Sequence, residues 1–244
     1  MKKRVVTLVT IILLLFSANA MAEKLVFVTC EFPPLGFMKD GQPAGSQVEI
    51  VHEICNRLGL AAEIQVLPWK RAMMYAETGR AHAIFAAIRT KERNVFLYYP
   101  SEPLCFERAV ILARKGSGIK VNSLDDLKGK GVYVVGGYAY TPEFDNHQGI
   151  KRVVCYDDKE VVKRLAKGHF HLAAGADEVT IKYFCKQVGF EAETVYVLNE
   201  NPCYLAFSKK GTGPKAKSLA EKFSRTLRQL REEGVIRKIE SKYF

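Results

Sequence analysis

The chain has 244 residues, 48% of them hydrophobic, and carries 37 Lys and Arg against 26 Asp and Glu, a formal charge of +11. That apolar content is ample for a packed core. The cations are spread among the acids without a long basic block, so the charge describes a solvated basic surface rather than a nucleic-acid footprint.

The first segment places Lys2, Lys3 and Arg4 ahead of an apolar run at 5–16 and then small residues. This is the pattern of a secretory signal peptide, with Ala18-Asn19-Ala20 or Ala20-Met21-Ala22 as the cleavage motif. The run is too short to span a bilayer. No Cys follows the cleavage site, which argues against a lipid anchor there. Residues 1–22 are assigned to the leader and the mature chain to about 220 residues from near Glu23, enough for one large domain or two lobes. Removing the three leader cations lowers the formal charge from +11 to +8.

From there β-rich runs alternate with amphipathic helical segments. A strand at 24–29 precedes a helix near 46–58, a strand at 62–67, a helix near 70–78 and a strand at 82–88. Val51, Ile54, Cys55 and Leu58 recur at helical spacing, so that face packs on a sheet, and Gly59 stops the helix. The pattern restarts with a strand at 108–114, a short helix capped by Ser123, a strand at 131–136, an ill-defined stretch, a strand at 151–156, a helix over 157–168 and a strand at 171–176. A helix from near Asp177 to Gly189, two strands at 194–198 and 203–208, and one long helix over 214–233 complete the chain. In the last helix Leu219, Phe223, Leu227 and Leu230 share a face.

The six cysteines, at 30, 55, 105, 155, 185 and 203, form no CxxC pair and lie near no His at zinc spacing, so metal binding is disfavoured. Export permits disulfides, but six Cys allow 15 pairings and several sit in apolar runs where a free thiol packs. No GxSxG, HExxH, P-loop or GxGxxG is present. His169 and His171 share a strand face without a third ligand, and no metal or cofactor is expected.

Two segments echo one another: "TGRAHAIFAAIRT" at 78–90 and "KGHFHLAAGADEV" at 167–179 each join a helix-ending Gly, a His three residues on and a strand of small residues. Ligands of open α/β sheets sit beyond the carboxyl ends of strands. Arg89 and Arg93 then stand at one rim and Asp177 with Glu178 at the other, an arrangement suited to a small zwitterion. For Thr90 and Arg93 a second account is equally good: Thr90 caps a helix and Arg93 makes a surface salt bridge. Residue chemistry alone leaves the two level, although a guanidinium that grips a carboxylate bidentately is well suited to such a rim.

"EFPPLGFMKDGQPAGSQVEIVHEICNRLGL", "GRAHAIFAAIRTKERNVFLYYPSEPL" and "LAEKFSRTLRQLREEGVIRKIESKYF" resemble, in order and over nearly the whole mature chain, the family 3 extracellular solute-binding proteins of ABC importers. The resemblance implies an α/β, two-lobed periplasmic binding protein fold of type II, with two hinge crossings and a ligand cleft between the lobes. Lobe 1 would comprise 23–107 and, after a return crossing, 207–244 with the C-terminal helices; lobe 2 would be 108–206. It further implies a periplasmic, monomeric, non-enzymatic receptor that delivers a small solute, an amino acid or similar, to a membrane ABC permease. Arg93 falls on the family's arginine for the α-carboxylate, Asp177 on its acid for the α-amino group and Trp69 on an aromatic that covers the ligand, with Arg71 beside it. Ala86 and Ile88 stand where many members carry a Gly-x-Thr, which removes a ligand-binding hydroxyl. Tyr138 makes the second-lobe turn bulky, and Glu31 lies near a position that meets the ligand's distal end. An exported dehydratase of prephenate-like acids and a soluble sensor for a membrane receptor are the alternatives on this scaffold.

Overall fold

A computed structural model describes residues 24–244 of the chain; the expected leader lies outside the described residues. Five elements open it: β1 (Leu25–Thr29), a hairpin of β2 (Phe37–Lys39) and β3 (Gln42–Ala44), α1 (Ser46–Leu58) and β4 (Ala62–Val66). α2 (Trp69–Thr78) and β5 (Ala83–Ile88) follow, then a 3-10 turn at Arg93–Val95 and the two-residue β6 (Leu97–Tyr98). β7 (Cys105–Arg114) leads into a second set: β8 (Gly131–Val135), α3 (Pro142–Asp145), β9 (Lys151–Cys155), α4 (Asp158–Lys167), β10 (Leu172–Gly175) and α5 (Glu178–Gln187). β11 (Ala192–Ser208) returns the chain to α6 (Lys209–Thr212), α7 (Ala216–Glu232) and α8 (Val235–Glu240).

The sheet order is β4-β1-β5-β11-β7-β10-β8-β9, with β6 against β11. β4-β1-β5 and β9-β8-β10 are parallel triplets of the same internal order, second-first-third. Between them β7 and β11 pair antiparallel from Cys105↔Cys203 to Arg114↔Ala192, and each also borders one triplet antiparallel. The echo read in the sequence is thus a repeated three-strand unit, and Gly79 and Gly168 both end their helices in the left-handed region.

One core cluster joins β1, β5, β11 and α1 to the C-terminal helices through Phe27, Ile54, Phe85, Phe207, Phe223 and Leu230. In it Phe27, Phe207 and Phe223 meet edge to face at 5.1–6.2 Å. A second holds Val110, Leu112, Val135, Val161, Leu165 and Phe184 around α4 and α5. α1 starts at Gly45, where φ is 119° and a Cβ would fall 2.4 Å from the Leu35 carbonyl oxygen, so no side chain fits.

Several boundaries differ from expectation. The strands expected at 194–198 and 203–208 are one strand of 17 residues, whose register shifts between Thr194 and Tyr196 and again between Val197 and Asn199. β7 begins at Cys105 rather than 108, because it pairs with β11 over its whole length. The long C-terminal helix begins after a 3-10 turn at Gly213–Lys215, and Gly234 in the left-handed region separates α8 from it. The hairpin of β2 and β3 was not read in the sequence, since its strands are three residues each and mostly exposed. All six cysteines are free thiols; burial raises those of Cys155 and Cys185 to about 11.

Candidate functional site

The carboxyl end of β5 is bulged. Ile84 faces Ala206 and Ala87 faces Tyr204, so two residues of β5, Phe85 and Ala86, lie opposite one of β11, Leu205. Ala86 takes up the extra residue with φ of 60°, in the left-handed region that an L-residue other than Asn or Asp seldom enters. The bulge turns Ala86 and Ile88 toward a small cavity at the centre of the molecule. After β5, the Thr90 hydroxyl accepts the Arg93 amide at 3.2 Å and starts the turn, so the expected cap is present. The turn swings the guanidinium inward.

Arg93 is buried, and each end of its guanidinium is held by a carbonyl. Nη1 donates to Ile88 at 2.9 Å and Nη2 donates to Gly137 at 3.1 Å. The Trp69 ring lies 5.2 Å below the guanidinium carbon, and its Nε1 donates to the same Gly137 carbonyl at 2.8 Å. Gly137 belongs to the turn after β8, so both triplets close on one carbonyl. Burial lowers the Arg93 pKa, the mark of a cation without a carboxylate partner at contact distance. The salt-bridge account of Arg93 does not hold.

Cys30, Phe32, Trp69, Ala86, Ile88, Arg93, Glu107, Tyr138, Ala139 and Ala176 line the cavity, which holds about 20 Å³. That is room for about one water, far below the roughly 300 Å³ at which small-molecule pockets begin. Tyr138 fills the space. Its ring meets Trp69 and Phe32 edge to face at 5.8 and 6.2 Å, and its hydroxyl donates to Asp158 Oδ2 at 2.9 Å.

Of the residues expected at the site, Trp69, Ala86, Ile88, Arg93 and Tyr138 are brought together here. Three are not. Asp177 borders a separate groove beside Cys105, Phe106 and Arg231, and its Oδ1 accepts the Thr180 amide at 2.9 Å as the N-cap of α5. Burial raises its pKa despite amide bonds from Thr180, Arg108 and Val179. Glu31 is exposed and accepts the Met38 amide at 3.3–3.4 Å in a surface groove by Lys159. Arg71 is exposed on α2. The outer rim residues are engaged elsewhere: Arg89 stacks over Tyr99 and Tyr204 at 5.0 and 5.5 Å, and Glu178 pairs with Arg108 and Lys182.

Two buried carboxyls absent from the expected site belong to this region, Glu107 on the cavity wall and Asp158 behind Tyr138. Glu107 on β7 is 2% exposed and lines it, while its neighbour Phe106 is 63% exposed. Burial pushes Glu107 up to about 8; one oxygen takes the Cys203 thiol and Oε1 has no partner. Asp158, the first residue of α4, is 2% exposed and pushed by burial up to about 7, with Oδ1 unpartnered behind the Tyr138 hydroxyl. Strand alternation held a signal for Glu107, which shares its parity with Ala109, Ile111 and Ala113. No group of acids, His or Cys among the described residues has metal-site geometry.

The profile of the bacterial extracellular solute-binding proteins, family 3, matches residues 25–244. The chain belongs to that family. The probable amino-acid-binding protein YxeM of Bacillus subtilis is 23% identical over 216 residues, 86% of this chain and 80% of its own. The L-cystine-binding protein TcyJ of Escherichia coli K12 is 28% identical over 129 residues, 52% of this chain and 48% of its own. Among solved structures, holo ArgBP from T. maritima superposes with a TM-score of 0.74 at 23% identity, over 91% of this chain and 96% of that one. A histidine kinase sensor domain similar to periplasmic binding proteins reaches 0.78 at 20% identity, over 91% and 96%. The fold is that of the two-lobed periplasmic binding proteins. No described helix is long and apolar enough to cross a membrane.

Proposed function

We propose that the protein is a periplasmic, monomeric receptor that binds an amino acid between its lobes and hands it to a membrane ABC permease. The carrying observation is Arg93, a buried guanidinium whose hydrogen-bond acceptors among the described residues are two backbone carbonyls, one from each lobe. A carboxylate matches such a fork better than neutral carbonyls do, and the Thr90 turn and the Trp69 face already hold it in place. Relatives named as amino-acid-binding support the same class.

Because the cavity holds about 20 Å³, loading requires the lobes to part and reclose with Gly137 and Tyr138 withdrawn from Arg93 and Trp69. The hinge points lie near residues 107 and 206, on the two central strands. In the reclosed state Arg93 takes the α-carboxylate. Asp177, next to cavity-lining Ala176, takes the α-ammonium on the lone-pair capacity its three amide bonds leave. The test joins a thermal-shift panel of amino acids, mass spectrometry of solute released from purified protein, and small-angle scattering. A stabilising amino acid recovered intact, with compaction on binding, supports the reading; no stabilising amino acid, or no change in shape with a saturating one, removes it.

A second reading draws on Glu107 at the cavity wall and Asp158 behind Tyr138, two buried carboxyls poised near neutrality, as acid and base of an exported dehydratase. It requires turnover of a prephenate-like acid instead of intact release.

A further inference from the structure

Three buried acids of the second lobe and its hinge stand against one buried cation of the first. Asp177 and Asp158 both raise the pKa of Glu107, Asp177 also raises that of Asp158, and the positive charge of Arg93 acts on Glu107 in the opposite direction. Glu107 Oε1 and Asp158 Oδ1 are buried side-chain oxygens without a hydrogen-bond partner among the described residues. Leaving such an atom unmatched is costly, more so if it is charged, so one at the cavity wall and one directly behind cavity-lining Tyr138 call for an explanation. Fold maintenance does not supply it. Glu107 occupies an inward position where Ala109 and Ile111 continue the same strand face, and an apolar residue there would carry no desolvation cost.

Resting on the reading of this cavity as the solute site, we infer that Glu107 and Asp158 form an anionic subsite for a second cationic group of the solute. The solute is then an amino acid with a positively charged side chain, an ammonium or guanidinium. Arg93 matches its carboxylate, Asp177 its α-ammonium, and the two unpartnered oxygens its side-chain cation. Tyr138, whose hydroxyl holds Asp158 and whose ring fills the cavity, is the stand-in that such a side chain displaces.

The cation also sets a proton count. Around Glu107 stand Cys203 on β11 and Cys105 on β7, Cys30 just after β1, Arg93 after β5, Asp158 and Asp177; around Asp158 stand Tyr138, Tyr140, Asp157 and Asp177. With one cation among these groups, at pH 7 Glu107 is mainly protonated and Asp158 is near half-protonated. An incoming cation stabilises both carboxylates, so binding expels on the order of one proton per solute.

The experiment is calorimetric titration of the full mature protein at pH 7, in buffers of different ionisation enthalpy, with L-arginine, L-lysine, their neutral analogues L-citrulline and L-norleucine, and putrescine. Arginine or lysine should bind at least about 30-fold more tightly than its neutral analogue, with proton release. In the isosteric Glu107→Gln/Asp158→Asn variant, its fold checked by Tm, that ratio should shrink to about threefold and the proton release should vanish. A neutral analogue that binds as well as its cationic counterpart, or a double variant that keeps the ratio, overturns the subsite and leaves the amino-acid reading standing. Putrescine binding without any amino acid keeps the subsite and removes that reading; silence from all five probes removes both.

Discussion

At the end of β5 the backbone releases its charged residue, and at the end of β10 it captures it. The two triplets share a strand order and a helix-Gly-strand pattern, so Arg93 and Asp177 stand at equivalent rims. Arg93 emerges from the Thr90 turn with its guanidinium in the cavity. Asp177 starts α5 directly and has its carboxyl held by the amides of Thr180, Arg108 and Val179. Position beyond a strand is therefore not enough to make a ligand group. The side chain must also escape its own backbone, and the acids that do so are Glu107 on β7 and Asp158 on α4, each with one carboxyl oxygen that has no hydrogen-bond partner among the described residues.

The largest effect should come from the released side. Arg93→Ala removes the carboxylate partner at a desolvated site, where loss of one charge costs about 2–5 kcal/mol, so affinity for the stabilising amino acid should fall roughly 30-fold to several thousand-fold. Arg228→Ala, which breaks an exposed pair with Glu102, should leave affinity near that of the parent in the same titration.

Stability against pH probes the free acids. The folded pKa values of Glu107 and Asp158, about 8 and about 7, lie above their usual 4.5 and 3.8. The folded state thus holds protons that the unfolded chain has lost, and unliganded stability should decline as pH rises from about 4 to 8. A Tm several degrees lower at pH 8.5 than at pH 5.5 is expected by calorimetry, and Glu107→Gln should flatten the slope. A Tm that rises over this range would contradict the assignment.

A smaller effect separates the captured acid's two roles. Asp177→Ala should cost about 1 kcal/mol through loss of the N-cap, read in denaturant unfolding. Asp177→Asn, which caps equally well, should keep stability and lose amino-acid affinity. Equal affinity in Asp177→Asn would leave the residue as a cap alone.

The sequence made the strand ends legible because β-rich runs and helix-ending glycines are local features. The first helix was read at its observed bounds from the spacing of Val51, Ile54 and Cys55. Trp69, Ala86, Ile88, Arg93 and Tyr138 were brought to the site by the family likeness acting on local motifs. Glu107 and Asp158 escaped because their role depends on tertiary burial. Glu107 looks like an ordinary charge between Phe106 and Arg108 until the sheet register turns Phe106 outward. Asp158 looks like one of two helix-starting acids until Tyr138 meets it from a turn 20 residues away. β11 was read as two strands because its irregular registers interrupt the alternation on which a strand is recognised.

The smallest effect tests the bulge that aims the site. Ala86 in the left-handed region costs about 1–2 kcal/mol, and the greater unfolded-state freedom of glycine offsets about half of that. Ala86→Gly should stabilise the unliganded protein by about 0.5–1 kcal/mol in denaturant unfolding; destabilisation would mean that the alanine methyl packs too well to lose.

The most direct measurement is a crystal structure of the protein with the amino acid that stabilises it most. The account predicts the solute's carboxylate on the Arg93 guanidinium, the Gly137 carbonyl withdrawn, and its cationic groups among Asp177, Glu107 and Asp158. A solute bound in the groove by Phe106 and Arg231, with Arg93 still on Gly137, would contradict it.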